Sequence, residues 1–221
     1  MFRARTVIFD LDGTLVDTAP DLAAAANRIL ALYGRPPLAM EALRRFVGGG
    51  ARLLLQRAFA ATGAPVEDAL LEERILPAFL AAYEARIAAL SRPYPGVVET
   101  LEALSARGHV LAVATNKPQH LTEKLLAELS LAPLFAAIVG RDAAPRPKPD
   151  RAHLDHALAL SGNGGPAVMV GDSATDVAAA RAAGMPVLVV PYGYAAEPAG
   201  ALGADAVLAD FPSLLERLLP A

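Results

Sequence analysis

The chain contains no cysteine, which excludes a disulfide, a thiol nucleophile and a thiolate metal site. Any metal must then be held by oxygen or imidazole ligands. A basic excess is also missing. The formal charge is −3 and the isoelectric point is near 5.8, and Lys and Arg gather into no run, which argues against nucleic acid as a partner. No apolar stretch reaches the roughly 18 residues of a membrane span. The N-terminal run after Arg3 and Arg5 is broken by Asp10 and Asp12 too early for a signal peptide. These absences point to a cytoplasmic protein that does not engage the membrane. Apolar residues, by contrast, make up 54% of the 221 positions, enough for one large α/β domain or a core with a smaller insert.

Two textures divide the chain. From Val97 onward, helical patterns alternate with short apolar runs: helix 97–107, strand 109–114, helix 118–129, strand 136–139, helix 151–160, strand 167–171, helix 174–183 and strand 186–190. That rhythm predicts a Rossmann-like parallel sheet flanked by helices. Residues 20–91 offer no convincing strand, and Leu22, Ala25, Ile29 and Tyr33 recur at helical spacing. The expectation is an all-helical domain inserted after strand one, comprising residues 18–92, with the α/β core made of 1–17 and 93–221. Pro36-Pro37, Gly48-Gly-Gly50, Gly63 and Pro65 should break the insert into several helices, and Pro77 should kink or divide the last long one.

Polar clusters follow the apolar runs. Thr6-Val-Ile-Phe9 leads into Asp10-Leu-Asp12-Gly-Thr-Leu-Val-Asp17, three carboxylates in eight positions. Carboxylates crowded at the end of a buried strand repel one another and resist desolvation, so they call for a cation, a shared proton or open water. Thr115-Asn116-Lys117 follow the next strand, Gly171-Asp172-Ser173 a later one, and Lys148 precedes helix 151–160. Each alone reads as an ordinary turn, helix cap or loop charge. In an open parallel sheet, however, ligands gather at the carboxyl ends of the strands. All four clusters fall on that rim, where together they could bind magnesium and a phosphate.

The set Asp10-Leu-Asp12-Gly-Thr-Leu-Val-Asp17, Thr115-Asn116, Lys148-Pro149 and Gly171-Asp172-Ser173-Ala-Thr-Asp176 resembles the four motifs of the haloacid dehalogenase (HAD) superfamily, in order and over nearly the whole chain. The helical insert is similar to that superfamily's cap domain in its first insertion position. Asp17-Thr-Ala-Pro-Asp-Leu22 and Phe46-Val-Gly-Gly-Gly-Ala-Arg52 most resemble the phosphoglycolate phosphatases within it. The pattern departs at Arg151, where the third motif often carries a second proline.

The resemblance implies a magnesium-dependent phosphatase acting on a small phosphorylated metabolite, with 2-phosphoglycolate favoured. Asp10 is the expected nucleophile, since a carboxylate can attack a phosphate ester once cations shield both anions. Magnesium is expected on Asp10, the Asp12 carbonyl and Asp172, in keeping with its demand for hard oxygen ligands. Lys148 adds a second positive charge. Asp12 is the expected acid and base, Thr115 and Asn116 the expected donors to the phosphoryl oxygens, and Asp176 an orienting residue. Arg52, after a glycine-rich turn into a helix, is expected at the substrate carboxylate.

Asp12 argues against dehalogenase chemistry, because the superfamily's dehalogenases lack the second aspartate. The absence of lysine before Lys117 argues against the phosphonate-cleaving relatives, whose cap supplies a Schiff-base lysine. Another phosphatase, for a sugar phosphate or pyrophosphate, stays open, as do a phosphosugar mutase and a non-enzymatic module phosphorylated on aspartate. The pair His153 and His156 reads as a helix-surface pair. The oligomeric state is left undetermined by these features.

Overall fold

The computed structural model describes residues 1–219. The chain forms two compact units. One comprises Met1–Asp17 and the described residues from Pro93 onward; the other is Thr18–Arg92.

The first unit is built on six parallel strands: β1 (Thr6–Phe9), β2 (Val110–Ala114), β3 (Ala137–Val139), β4 (Ala167–Gly171), β5 (Val187–Val189) and β6 (Ala206–Val207), in the spatial order β3-β2-β1-β4-β5-β6. A parallel sheet is covered on both faces, which is why its strands read as continuous apolar runs. Ile8, Ala112 and Met169 pack with Leu154, Ala157, Val177 and Ala180 of helices Arg151–Leu160 and Ala174–Ala183. Phe9 points to the other face, 5.9 Å from the ring of Phe211 and 6.4 Å from that of Phe135.

Register decides where the chemistry collects. Phe9 lies opposite both Val113 and Val170, so Asp10, Thr115 and Asp172 leave adjacent strands within about a residue of one another at the carboxyl edge. The helical pattern from 97 to 183 appears as Val97–Ala106, Gln119–Glu128, Arg151–Leu160 and Ala174–Ala183. The expected strand 186–190 is β5. Past it no element was expected, and the structure adds β6 and a one-turn helix at Leu214–Arg217.

The second unit holds helices Ala19–Leu32, Met40–Arg44 and Ala51–Ala61, followed by a continuous helical stretch from Asp68 to Glu84. Its core includes Leu22, Ile29, Leu54, Phe59, Ile75 and Phe79. Tyr33 departs from the expected apolar stripe. It ends the first helix and is 38% exposed, with one ring edge on Phe59 at 5.6 Å. Pro77 does not interrupt the last stretch; it stands in the first turn of Leu76–Glu84. A proline cannot donate to the carbonyl four residues back, and the hydrogen-bond ladder reaches it through a π segment, Leu71–Ile75. Asp21, buried in the first turn, accepts from Ser91 N and Ser91 Oγ, both at 2.7 Å, and from Leu90 N. It thereby ties the beginning of this unit to its end. Among the described residues no helix is long and apolar enough to cross a membrane.

Candidate active site

Asp10 continues β1, its N–H bonded to Val170 O at 3.0 Å. Its Oδ1 lies 2.9 Å from Lys148 Nζ. The same ammonium meets Asp176 Oδ1 at 2.6 Å, and both of these side chains are almost wholly buried. Asp176 Oδ2 in turn accepts from Ser173 Oγ (2.6 Å), Ser173 N and Asp172 N. The Ser173 N–H bond and the reciprocal donation of Asp176 N–H to Ser173 Oγ at 3.4 Å form a capping box on helix Ala174–Ala183. Gly171 permits this closeness, because a Cβ there would sit 2.5 Å from the Asp176 side chain.

Asp172 is held by the loop after β5. Tyr194 N–H donates to its Oδ2 at 2.6 Å, and Thr14 Oγ1 stands 3.4 Å from its Oδ1. The Tyr194 hydroxyl donates to Asp17 at 2.7 Å and the Tyr192 hydroxyl to Thr14 O at 3.0 Å. Gly13, at φ +89°, presses so near that a Cβ would meet Asp172 Oδ2 at 2.5 Å. A side chain at that backbone angle would be strained as well.

Asp10, Asp172 and Asp176 can each bring a carboxylate oxygen within 4.8 Å of the others. Three acids against one buried lysine leave an excess of negative charge away from water, which is costly. Burial pushes Asp10 up to about 6; Asp176 and Asp12 push the same way, while Lys148 pulls it down. Burial, then Asp176 and Asp10, hold Asp172 well above the ordinary carboxylate range. Burial disfavours the ammonium of Lys148, but Asp10 and Asp176 outweigh it and raise its pKa. The charge deficit and the all-oxygen donor set fit a hard divalent cation. Asp176 gives Oδ1 to Lys148 and accepts three hydrogen bonds on Oδ2, whereas Asp172 accepts one short bond and one at 3.4 Å and Asp10 meets Lys148 alone, so Asp10 and Asp172 keep more lone-pair capacity for such an ion.

A family model described as haloacid dehalogenase-like hydrolase matches residues 7–190. The chain belongs to that family. It is 49% identical over 207 residues to a phosphoglycolate phosphatase of Caulobacter vibrioides, covering 93% of this chain and 87% of that one. It is 47% identical over 214 residues to a phosphoglycolate phosphatase of Rhodospirillum rubrum, covering 95% and 89%. Its structure is similar to the crystal structure of a predicted phosphoglycolate phosphatase from Haemophilus somnus, with a TM-score of 0.90, 32% identity and coverage of 98% and 99%. As a member of the haloacid dehalogenase-like hydrolases the chain is an enzyme, and its parallel sheet is that of the solved relative.

In this hydrolase, the residues singled out by the sequence take the following positions. Asp12 carries its carboxylate 3.2 Å from Lys117 Nζ through both oxygens. Lys117 is buried, a partner for Asp12 that no motif pointed to. Thr115 Oγ1 accepts from Lys117 N–H at 3.4 Å, which leaves its own hydroxyl proton to donate elsewhere. Asn116 Nδ2 donates to Lys148 O at 2.9 Å, and its Oδ1 is buried without a partner. Asn116 therefore braces the lysine backbone in addition to any donation to substrate. Arg151 opens its helix and pairs with Asp155 at 2.8 Å, while Asp150 caps that helix through Ala152 N. The missing proline thus leaves Lys148 beside Asp10.

One expectation meets competing partners, and one needs correction. Arg52, in the helical unit, lies 2.8 Å from Asp68 Oδ1 through Nη2 and binds Glu72 Oε1 through Nε. Two acids already fill the guanidinium fork that was expected to meet a substrate carboxylate. His153 is no surface residue: it is fully buried. Its position one residue before Leu154 and four before Ala157 puts it on the buried stripe of the helix, a spacing that could have revealed it in the sequence.

Proposed function

We propose that this hydrolase is a magnesium-dependent phosphomonoesterase that converts 2-phosphoglycolate to glycolate and phosphate through a phosphorylated Asp10. The observation that carries the reading is the buried lysine 2.9 Å from Asp10 Oδ1, at a strand edge shared with Asp172. A carboxylate attacks a phosphate ester only where cations offset the meeting of two anions. The names of the relatives support the choice of substrate.

In this reading Asp10, Asp172 and the Asp12 carbonyl hold the magnesium ion, which supplies charge neutralisation for the phosphoryl oxygens. A carboxylate oxygen of Asp10 bonds to phosphorus as the ester P–O bond breaks, and Asp12, which takes up a proton from solvent as it leaves Lys117, gives that proton to the departing alkoxide. Asp12, now a carboxylate, takes a proton from water as that water attacks phosphorus. The P–O bond to Asp10 then breaks, which frees phosphate and restores both aspartates. Lys148 keeps Asp10 ionised between attacks. The Thr115 hydroxyl and the remaining Asn116 amide N–H donate to the phosphoryl oxygens. The helical unit serves as the cap, and Arg52 takes part only by exchanging Asp68 or Glu72 for the substrate carboxylate.

The test is a phosphate-release time course with magnesium over a panel of small esters. Preference for phosphoglycolate supports the reading. Equal or better turnover of a sugar phosphate would change the substrate and keep the mechanism. A chain that takes up phosphate on aspartate and never turns over would replace the enzyme with a signalling module.

A further inference from the structure

We infer that His153 is a positioning residue for Lys148, fixing its backbone so that the ammonium group meets Asp10. The turnover part of this inference rests on the phosphatase reading; the structural part does not.

Lys148 reaches the site from an exposed approach. From Arg141 to Pro147 no residue of the loop is buried, and Pro149 after it is exposed too. Ala144, four residues before Lys148, packs against the sheet core, but lysine has a flexible four-carbon stem, so that contact alone does not hold Nζ in place. The restraint comes from the backbone of Lys148. Its N–H donates to His153 Nδ1 at 3.1 Å and its carbonyl accepts from Asn116 Nδ2 at 2.9 Å.

The imidazole completes a path to the sheet. Because Nδ1 accepts, the ring proton sits on Nε2, which faces Val139 O at 3.1 Å. Val139 ends β3, and its carbonyl also receives the Thr115 N–H at 3.0 Å. One strand end therefore locates both the Thr115 turn and, through His153, the Lys148 backbone. Both ring nitrogens are committed inside a fully buried residue. A displacement of about 1 Å at a reacting group can lower turnover on the order of a hundredfold, so the hydrogen bond to Lys148 N–H is where the effect should register.

Two substitutions separate positioning from packing. His153→Asn places an acceptor near the position of Nδ1 and keeps the bond to Lys148. His153→Gln reaches the position of Nε2, keeps a donor for Val139 and gives up Lys148. We expect His153→Asn to hold kcat for p-nitrophenyl phosphate within about threefold and His153→Gln to lower it about ten- to a hundredfold, with KM changed less than kcat. In a Lys148→Met background His153→Gln should cost nothing further, since a residue acting through another is not additive with it. Amide hydrogen exchange, which needs no activity, should show the Lys148 N–H protected in His153→Asn and at least about tenfold faster in His153→Gln. Equal kcat in the two variants, a loss that persists in the Lys148→Met background, or equal protection of the Lys148 amide would overturn the inference. If the wild type releases phosphate from no ester, the phosphatase reading falls, and the amide-exchange comparison alone decides whether His153 positions Lys148.

Discussion

Lys148 with Asp10 and Asp176 in the α/β unit, and Arg52 with Asp68 and Glu72 in the helical unit, are the same chemical object: one cation between two carboxylates. Their distances overlap, 2.9 and 2.6 Å in the first and 2.8 Å for Arg52 to Asp68 in the second. They differ in exposure. The side chains of Lys148 and Asp176 are 2% and 1% exposed, while those of Arg52 and Asp68 are 43% and 75% exposed. Water screens the second group, and such surface pairs contribute little. In the first, removing water makes each charge depend on its neighbours, so that Asp10 rises to about 6 and Asp172 is held well above the ordinary carboxylate range. A shared contact geometry thus yields a buried, strongly perturbed charge cluster in one place and a surface brace in the other.

That contrast makes the buried cluster the place where substitutions should matter most. Asp10→Asn should abolish turnover, a loss above about 10⁴-fold, because an amide cannot form the acyl phosphate. Normal phosphate release by this variant would end the covalent reading. Next in size, EDTA should silence the wild type until magnesium is restored. Magnesium should also raise the melting temperature of wild type and leave Asp172→Ala unchanged. Full activity in metal-free buffer would turn the cluster into a purely structural one.

Asp12→Asn should slow both the protonation of the leaving group and the hydrolysis of the intermediate, by about 10²–10⁴-fold. Rapid-quench measurement of the two steps checks this, and slowing of only one step would divide the acid and base roles between residues.

A smaller effect concerns stability. Burial holds His153 at a pKa of about 4, down from 6.5. Between those values the unfolded chain binds a proton that the folded chain does not, so stability is full above pH 6.5 and lost as pH falls toward 4. The charges around the ring, Lys148, His156 and Asp176, remain in His153→Asn. The stability advantage of wild type over this variant should therefore shrink by on the order of 3 kcal/mol from pH 7 to pH 4, read by denaturant unfolding at each pH. A constant advantage would contradict the shift.

The surface cluster should show the smallest effect. Arg52→Ala should leave kcat/KM for phosphoglycolate and for p-nitrophenyl phosphate within about twofold of wild type, as for an ordinary surface substitution. A loss confined to phosphoglycolate would restore Arg52 as the reader of the substrate carboxylate and erase the contrast between the clusters.

The sheet was legible because its strands are buried on both faces. Val110–Ala114 and Ala167–Gly171 are unbroken apolar runs between helical patterns, and their polar ends follow from parallel topology. Residues beyond Val190 were not legible. β6 has only two residues and neither is buried, so no apolar pattern marks it. The motif residues could be picked out one at a time, but their partners could not. Lys117 and Asp12 are 105 positions apart, and Tyr194 and Asp172 are 22 apart. Neither pairing leaves a periodic trace. The competition at Arg52 was hidden for a related reason: the glycine turn before it suggested an anion site, while Asp68 and Glu72 reach the guanidinium from a later helical stretch.

The sequence by itself determined which groups can react. Its aspartates, its lysine at 148 and its lack of cysteine limit the chemistry to carboxylates, an ammonium and a hard cation, and the apolar runs send them to one edge of a sheet. Only the tertiary structure decided their state. The pKa of Asp10, the protonated nitrogen of His153 and the occupancy of the Arg52 fork depend on depth from water and on distances between residues remote in the chain. Those quantities arise when each unit packs on its own core, since desolvation and Coulomb interaction are properties of the assembled surroundings and of no residue alone.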